Sequence, residues 1–396
     1  MKLYLPEQVE YIISELEKAG YRADTVGGSV RDLLLGKSPY DYDITTSATP
    51  DKTKAVFSHM RTVDTGIKHG TVSLIIDSQA YEITTYRVDG EYKDSRHPEE
   101  VFFTQRIEED LARRDFTVNA IAYSPSHGIT DPFGGRQDIA DKVIRAVGDP
   151  YLRFDEDALR ILRGVRFSAT LGFNIEENTS AAIREKKHLL KNVSAERIYV
   201  EIKKMLHGDY AHGVISDYGD VVSTVVPALS EIILPDKDRF ASADYLSRLL
   251  AIFYLSCDNA AASFEESCYG LKTDSHTREV GACALSSVGD YDLTTDLGLK
   301  QLLRDKDVER AEALIRLEIL LGRAENISLH RLNELVQSGV CYRYSDLAVN
   351  GKDIMSLGIS GREVGAMLDA LLSAVIEGRV DNSRDALISY ARKTKN

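Results

Sequence analysis

Gly27-Gly28-Ser29-Val30-Arg31-Asp32, followed after a short gap by Asp41-Tyr42-Asp43, is the stretch whose reading decides the fold. A glycine pair forms a turn at which a ligand approaches the backbone closely. Val30 to Leu35 reads as a short helix that Gly36 ends. Its first N–H groups would face back over the turn, an arrangement suited to phosphate. Tyr42–Thr46 reads as a strand. With a side-chain period of two, Asp41 and Asp43 leave the same face roughly 6–7 Å apart. Like charges held that close are costly unless a cation lies between them. Mg²⁺ takes one or two carboxylates and completes its shell with phosphate oxygens and water. The stretch therefore points to metal-dependent transfer of a nucleotide. Gly36-Lys37-Ser38 mimics the end of a P-loop, but Arg31 stands where that motif needs its first glycine.

Outward from this stretch, residues 1–148 alternate strands and helices. Tyr21–Val26 reads as a strand, and Thr71–Asp77 with Ala80–Arg87 as an antiparallel hairpin turning at Asp77-Ser78-Gln79. Glu82, between apolar Tyr81 and Ile83, faces away from both and is a candidate third carboxylate; a solvent-facing strand glutamate fits the pattern equally well. From Tyr86 to Gln105 the chain is charged and aperiodic and contains glycine and proline, which suggests a mobile loop beside the site. His69 reads as a turn residue rather than a base. After about Asp149 the strand signals fade and helix follows helix. The last clear one carries Val364, Met367, Leu368, Leu371, Leu372, Val375 and Ile376 on one face and closes at Gly378. The fold class is α+β, an N-terminal head of mixed sheet plus helices followed by an all-α remainder.

The 396 residues suffice for more than one domain. No apolar run is long enough to span a bilayer and the N-terminus lacks a signal-peptide pattern, so a cytoplasmic location is expected, without a membrane partner. Cys257, Cys268, Cys283 and Cys341 show no C-x-x-C spacing, which argues for reduced thiols and against a zinc site. A net charge of −13 argues against indiscriminate nucleic-acid binding but leaves room for a local basic surface. Residues 151–211 hold eleven Lys/Arg against nine Asp/Glu, whereas 212–290 hold five against twelve. Any such surface belongs to the earlier segment.

That segment opens with Asp155 to Phe167, read as one helix. At about 100° per residue from Asp157, Arg160, Arg163 and Arg166 fall near 300°, 240° and 180°, while Ala158, Ile161, Leu162, Val165 and Ala169 fill the opposite arc. One face carries an acid and three arginines, where a solvated face would mix Lys and Glu at i, i+4. Ionised Asp only accepts hydrogen bonds and Arg only donates them. A base matching both offers an amino group beside a ring-nitrogen acceptor, as cytosine and adenine do and uracil and guanine do not. Asp157 with Arg160 could therefore select C and A with no template, since each unpaired buried polar group costs on the order of 1–3 kcal/mol. Arg163 and Arg166 lie further round and suit phosphate or structural pairing better.

Taken together, Gly27-Gly28-Ser29-Val30-Arg31-Asp32, Asp41-Tyr42-Asp43, Arg113-Arg114-Asp115-Phe116-Thr117-Val118-Asn119-Ala120 and Glu156-Asp157-Ala158-Leu159-Arg160 resemble the successive motifs of class II tRNA nucleotidyltransferases. These are the bacterial CCA-adding enzymes and their poly(A) polymerase relatives, of the DNA polymerase β-like superfamily. Asp131-Pro132-Phe133-Gly134-Gly135 and Glu196-Arg197-Ile198 are also similar to family segments, and Asn350-Gly351-Lys352-Asp353 resembles the Gram-positive type more loosely. Tyr40 departs from the pattern, which has a more polar residue there. The resemblance implies a polymerase β-like catalytic head (1–148), a helical neck that recognises the base (149–205), a helical body (206–325) and a tRNA-binding helical tail (326–396). It implies that Asp41 and Asp43 hold Mg²⁺, with Glu82 a candidate catalytic companion. Gly28, Arg31 and Arg114 would contact the nucleotide, and Asp157 and Arg160 would read the base with Arg163 and Arg166 nearby.

The implied reaction adds C, C and A to the 3′ end of tRNA from CTP and ATP, by two-metal nucleotidyl transfer with release of pyrophosphate. Members that add only CC lack a flexible loop matching residues 86–106, and this chain has one. Lys186, Lys187, Lys203 and Lys204 are candidate phosphate contacts. The alternatives are a poly(A) polymerase, a CC-only or A-only enzyme, and a catalytically inactive tRNA-binding protein. Oligomeric state is left open, a homodimer among the options.

Overall fold

The computed structural model describes residues 2–90 and 101–394. The chain folds as two compact units, Met1–Val225 and Val226–Asn396. In the first, helix α1 (Glu7–Lys18) leads into β1 (Ala23–Val26), α2 (Gly28–Leu34), β2 (Asp43–Thr46) and α3 (Pro50–Val56). Strands β3 (Thr62–Gly66), β4 (Thr71–Ile76) and β5 (Gln79–Thr85) follow, then β6 (Arg87–Asp89) and β7 (Val101–Phe103). Helix α4 (Ile107–Ala112), β8 (Ala122–Ser124), β9 (Gly128–Thr130), α5 (Gly135–Asp141) and β10 (Val143–Ile144) complete the sheet region. Seven strands form one sheet in the order β3-β4-β5-β2-β1-β8-β9. β2 and β5 run parallel, and the other pairs are antiparallel, so the sheet is mixed as expected. Asp77 and Ser78 both have positive φ, the two-residue turn that matches the strand twist of the β4–β5 hairpin. Val9, Ile12, Ile13 and Leu16 of α1 pack on Ile44, Leu74 and Ile83 and cover one face.

The helical part begins with α6 (Pro150–Glu156) and α7 (Leu159–Leu171). It runs on through the two-residue β11 (Asn174–Ile175), α8 (Glu177–Lys186), α9 (Ala195–Leu206) and α10 (Ala211–Val225). Phe116, Val118, Ile121, Ile139, Ile144 and Phe167 share a core with Val30, which brings α7 against the sheet region. In the second unit every described regular element is helical, from Lys237–Ser242 to Arg384–Thr394. The helix expected from its apolar stripe is Arg362–Ile376, with Gly378 at φ 71° beyond it. Its Leu371, Leu372 and Ile376 pack with Ile354, Leu387 and Ala391. No described helix is long and apolar enough to cross a membrane.

The segment expected to be aperiodic from Tyr86 to Gln105 contains regular structure. β6 and β7 pair antiparallel, Val88 opposite Phe102, and Tyr86 is buried with its hydroxyl donating to Asp24 at 2.9 Å. Residues 91–100, the centre of the proposed loop, lie outside the described residues.

Candidate active site

β2 starts at Asp43, one residue later than its sequence suggests, so Asp41 lies just ahead of the strand. Both are exposed. Ile44 is in register with Ile83 on the parallel neighbour, and both are buried. One residue earlier on each strand, Asp43 and Glu82 therefore sit side by side on the open face. Although Asp43 reaches solvent, its carboxyl is pushed above the usual range. The protein packed around it is the main cause; Arg114 pulls the other way, and the charges of Asp41 and Glu82 add to the rise. The pairing thus brings the third candidate acid to the first two. Among the described residues no cluster of three or more His, Cys, Asp or Glu side chains is set to hold a metal unaided. Mutually repelling carboxylates gathered at the start of β2 are a donor set that a divalent cation fits.

Gly27 lies at φ 79° and ψ −131°, accessible to glycine alone, and a Cβ there would come within 3.0 Å of Arg114 Nη1. The missing Cβ leaves room for Arg114, whose charge acts on Asp43. Arg114 Nε is buried without a hydrogen-bond partner, and its Nη2 lies 3.6 Å from Asp110. Burial opposes the charge on Asp110, yet Arg113 and Arg114 outweigh it and hold the carboxyl below the usual range. Asp110 also accepts from Thr45 Oγ1 of β2 and from the Arg87 backbone, tying α4 to the strand of the acids. Gly28 opens α2 and has Arg31 beside it. Arg31 donates to Asp32 at 2.9 Å and to Asn119 Oδ1 at 2.7 Å.

The single helix expected over Asp155–Phe167 is two. Asp157, at φ −140° and ψ 101°, breaks it between α6 and α7. The angular series therefore fails at its origin, since Asp157 shares no helical face with the arginines. Its carboxylate accepts from Leu159 N at 3.1 Å, at the start of α7, and from Arg197 Nη2 of α9 at 3.0 Å. Local capping outweighed helix continuity here. The apolar arc held: Ala158, Ile161, Leu162, Val165 and Ala169 are all buried. Arg160 is not on an exposed face. It is 7% exposed and donates to Glu156 at 2.6 Å and to the carbonyls of Arg153 and Arg113. Arg163 grips Asp115 at 2.6 Å, and Arg166 donates to buried Glu201 at 3.0 Å, so both are ion-paired within the protein.

Five participants went unassigned in the sequence: Asp110, Asp115, Asn119, Arg197 and Glu201. Asp115 and Asn119 stand in the Arg113–Ala120 run and Arg197 beside Glu196, but nothing local says which arginine each will meet. Arg153 Nε and Arg197 Nη1 are buried without partners, as is Arg114 Nε. These are donors that a polyanion or a base could satisfy. Lys186 and Lys187 are held by Asp155 and Asp220 instead of standing free for phosphate.

A mixed sheet bearing clustered carboxylates beside a glycine turn, backed by buried arginines with unused donors, defines the head of a nucleotidyltransferase. Residues 23–145 match the family model described as "Poly A polymerase head domain", and 172–217 that of "Probable RNA and SrmB- binding site of polymerase A". Residues 249–391 match the model for domain 2 of tRNA nucleotidyltransferases. A CCA-adding enzyme of a Geobacillus species is 37% identical over 95% of this chain and 94% of its own. That of Streptococcus pyogenes serotype M1 is 34% identical over 96% and 95%. The crystal structure of the Bacillus stearothermophilus CCA-adding enzyme with CTP superposes with a TM-score of 0.80 at 32% identity, covering 100% of this chain and 98% of that one. The chain belongs to the CCA-adding enzyme family of tRNA nucleotidyltransferases.

Proposed function

We propose that this chain adds C, C and A to the 3′ end of tRNA from CTP and ATP, releasing pyrophosphate, with Mg²⁺ as its metal. End-to-end likeness to CCA-adding enzymes, at 37% identity over 95% of the chain, carries the reading. Asp41 and Asp43 hold the cation, with Glu82 beside them. When bound, Mg²⁺ supplies charge neutralisation at the α-phosphate and lowers the pKa of the attacking 3′-hydroxyl. Arg114 and Arg31 bind the triphosphate, and the glycine turn at Gly27 and Gly28 lets it approach the backbone. Asp157 accepts from the amino group of cytosine or adenine. Arg160 holds the α6–α7 break in shape through Glu156 and two carbonyls, and Arg163 and Arg166 brace α7. The same reading divides the chain into head (1–148), neck (149–205), body (206–325) and a tail (326–396) that binds tRNA.

The experiment supplies tRNA transcripts ending before CCA, after C and after CC with Mg²⁺ and each labelled nucleoside triphosphate, read at single-nucleotide resolution. Three additions and a stop, drawn only from CTP and ATP, are expected. Asp43→Asn should lower the rate by about 10³-fold or more while leaving tRNA binding intact, as loss of a group acting in the transition state does. Long A tails would make the chain a poly(A) polymerase, which the head-domain likeness also accommodates. A fully active Asp43→Asn protein would overturn the carboxylate assignment.

A further inference from the structure

Phe167 of α7 is buried, with three guanidinium groups around its ring. Arg166 lies 3.5 Å from the centroid, and Arg31 and Arg163 both lie at 5.3 Å. Filling space asks for none of these contacts, since an aliphatic side chain would fill the same gap. An aromatic face attracts a cation within about 6 Å of its centroid, more strongly when both are desolvated. The three cations come from two elements, Arg31 from α2 and the others from α7.

A polar path joins the same groups from the other side. Arg31 Nη1 donates to Asn119 Oδ1 at 2.7 Å, Asn119 Nδ2 to Asp115 Oδ1 at 3.2 Å, and Arg163 Nε to Asp115 Oδ2 at 2.7 Å. Phe167 closes this path into a loop that begins and ends at Arg31. Without the ring, Arg31 keeps Asp32 and Asn119 and Arg163 keeps Asp115, but nothing fixes the two guanidinium groups relative to each other across the gap that the ring fills. Gly164 supports the arrangement, because a Cβ there would come within 3.0 Å of Phe116, the ring that meets Phe167 edge to face at 5.8 Å.

We propose that Phe167 is a positioning residue for the nucleoside triphosphate. Its ring sets the spacing between Arg31, beside the glycine turn, and Arg163 and Arg166 on α7. The inference rests on the nucleotide site proposed above. It assigns Phe167 to nucleotide affinity for CTP and ATP alike, since the ring aligns charged groups and meets no base edge.

Truncating a core ring risks unfolding, so the test keeps the shape and changes the electronics. Phe167 is replaced, site-specifically, by mono-, di- and trifluorophenylalanine, which progressively weakens the negative face of the ring. KM for CTP and for ATP should rise along the series, by about five- to thirty-fold at the trifluoro stage if about 1–2 kcal/mol of cation–ring attraction is lost. The values of kcat and KM for tRNA should stay level, while the thermal midpoint without nucleotide should fall modestly, because the free protein makes the same cation–ring contacts. Phe167→Leu, checked for folding by circular dichroism, should raise both nucleotide KM values at least as far. Level KM values across the fluorinated series would overturn the proposal and leave the ring a core filler. A wild-type protein that adds neither nucleotide would overturn the nucleotide site itself, and with it this role.

Discussion

Asp115→Asn tests the electrostatics under the site. Asp115 is 9% exposed and meets Arg163 at 2.6 Å. Burial, the largest single influence, would raise its pKa, but the Arg163 charge and the hydrogen bonds from Arg163, Asn119 and the Phe116 backbone together outweigh it and hold the carboxyl at about 2. Against an ordinary 3.8, at about 1.36 kcal/mol per pH unit, the ionised form contributes on the order of 2 kcal/mol to folding. A depressed carboxylate pKa stabilises fully above the unfolded value and loses that contribution as pH falls through the folded one. Roughly half of it should be gone by pH 3 and most of it by pH 2. Asparagine keeps the shape and removes the charge, leaving Arg163 with Glu201 at 3.9 Å. The expected cost at pH 7 is about 2–4 kcal/mol. The chain has no Trp, so urea denaturation is followed by far-UV circular dichroism. The deficit against wild type should narrow by about 1 kcal/mol between pH 7 and pH 3. A deficit under about 0.5 kcal/mol at pH 7, or one equal at both pH values, would refute the reasoning.

Two further outcomes are expected. Gly135→Ala would bring a Cβ within 2.1 Å of the Thr117 carbonyl oxygen, which is backbone and cannot step aside; the thermal midpoint should fall, at a cost of about 2 kcal/mol or more, and an unchanged midpoint would mean the loop repacks freely. Arg197→Met frees the Asp157 carboxylate from a 3.0 Å ion pair while keeping the bulk of the side chain. Discrimination of CTP and ATP against UTP should then fall by about tenfold, since a loosened acceptor forfeits on the order of 1 kcal/mol of selection. Unaltered discrimination would make that pair structural only.

Much of the head was legible because its signals are local. A glycine pair, a period-two acid pair and an apolar hairpin each act over a few residues, and they placed α2, β2, β4 and β5 to within two residues or so. The helical wheel failed at Asp157 for an equally local reason: an aspartate can cap the next helix as readily as extend the last one. The buried arc of α7 survived because its apolar spacing is the same whether one helix or two precedes it.

The sequence by itself determined the α+β class and membership of the nucleotidyltransferases, both carried by residues close together in the chain. Tertiary structure alone decided partnership. Glu82 joins Asp43 because β2 and β5 run parallel in a register that no short segment specifies. Asp115 takes Arg163 from 48 residues away, and Asp157 takes Arg197 from 40. An arginine reads the same in sequence whether it is solvated, paired or stacked. Which of these it becomes depends on the desolvation and the opposite charge that only the packed chain supplies.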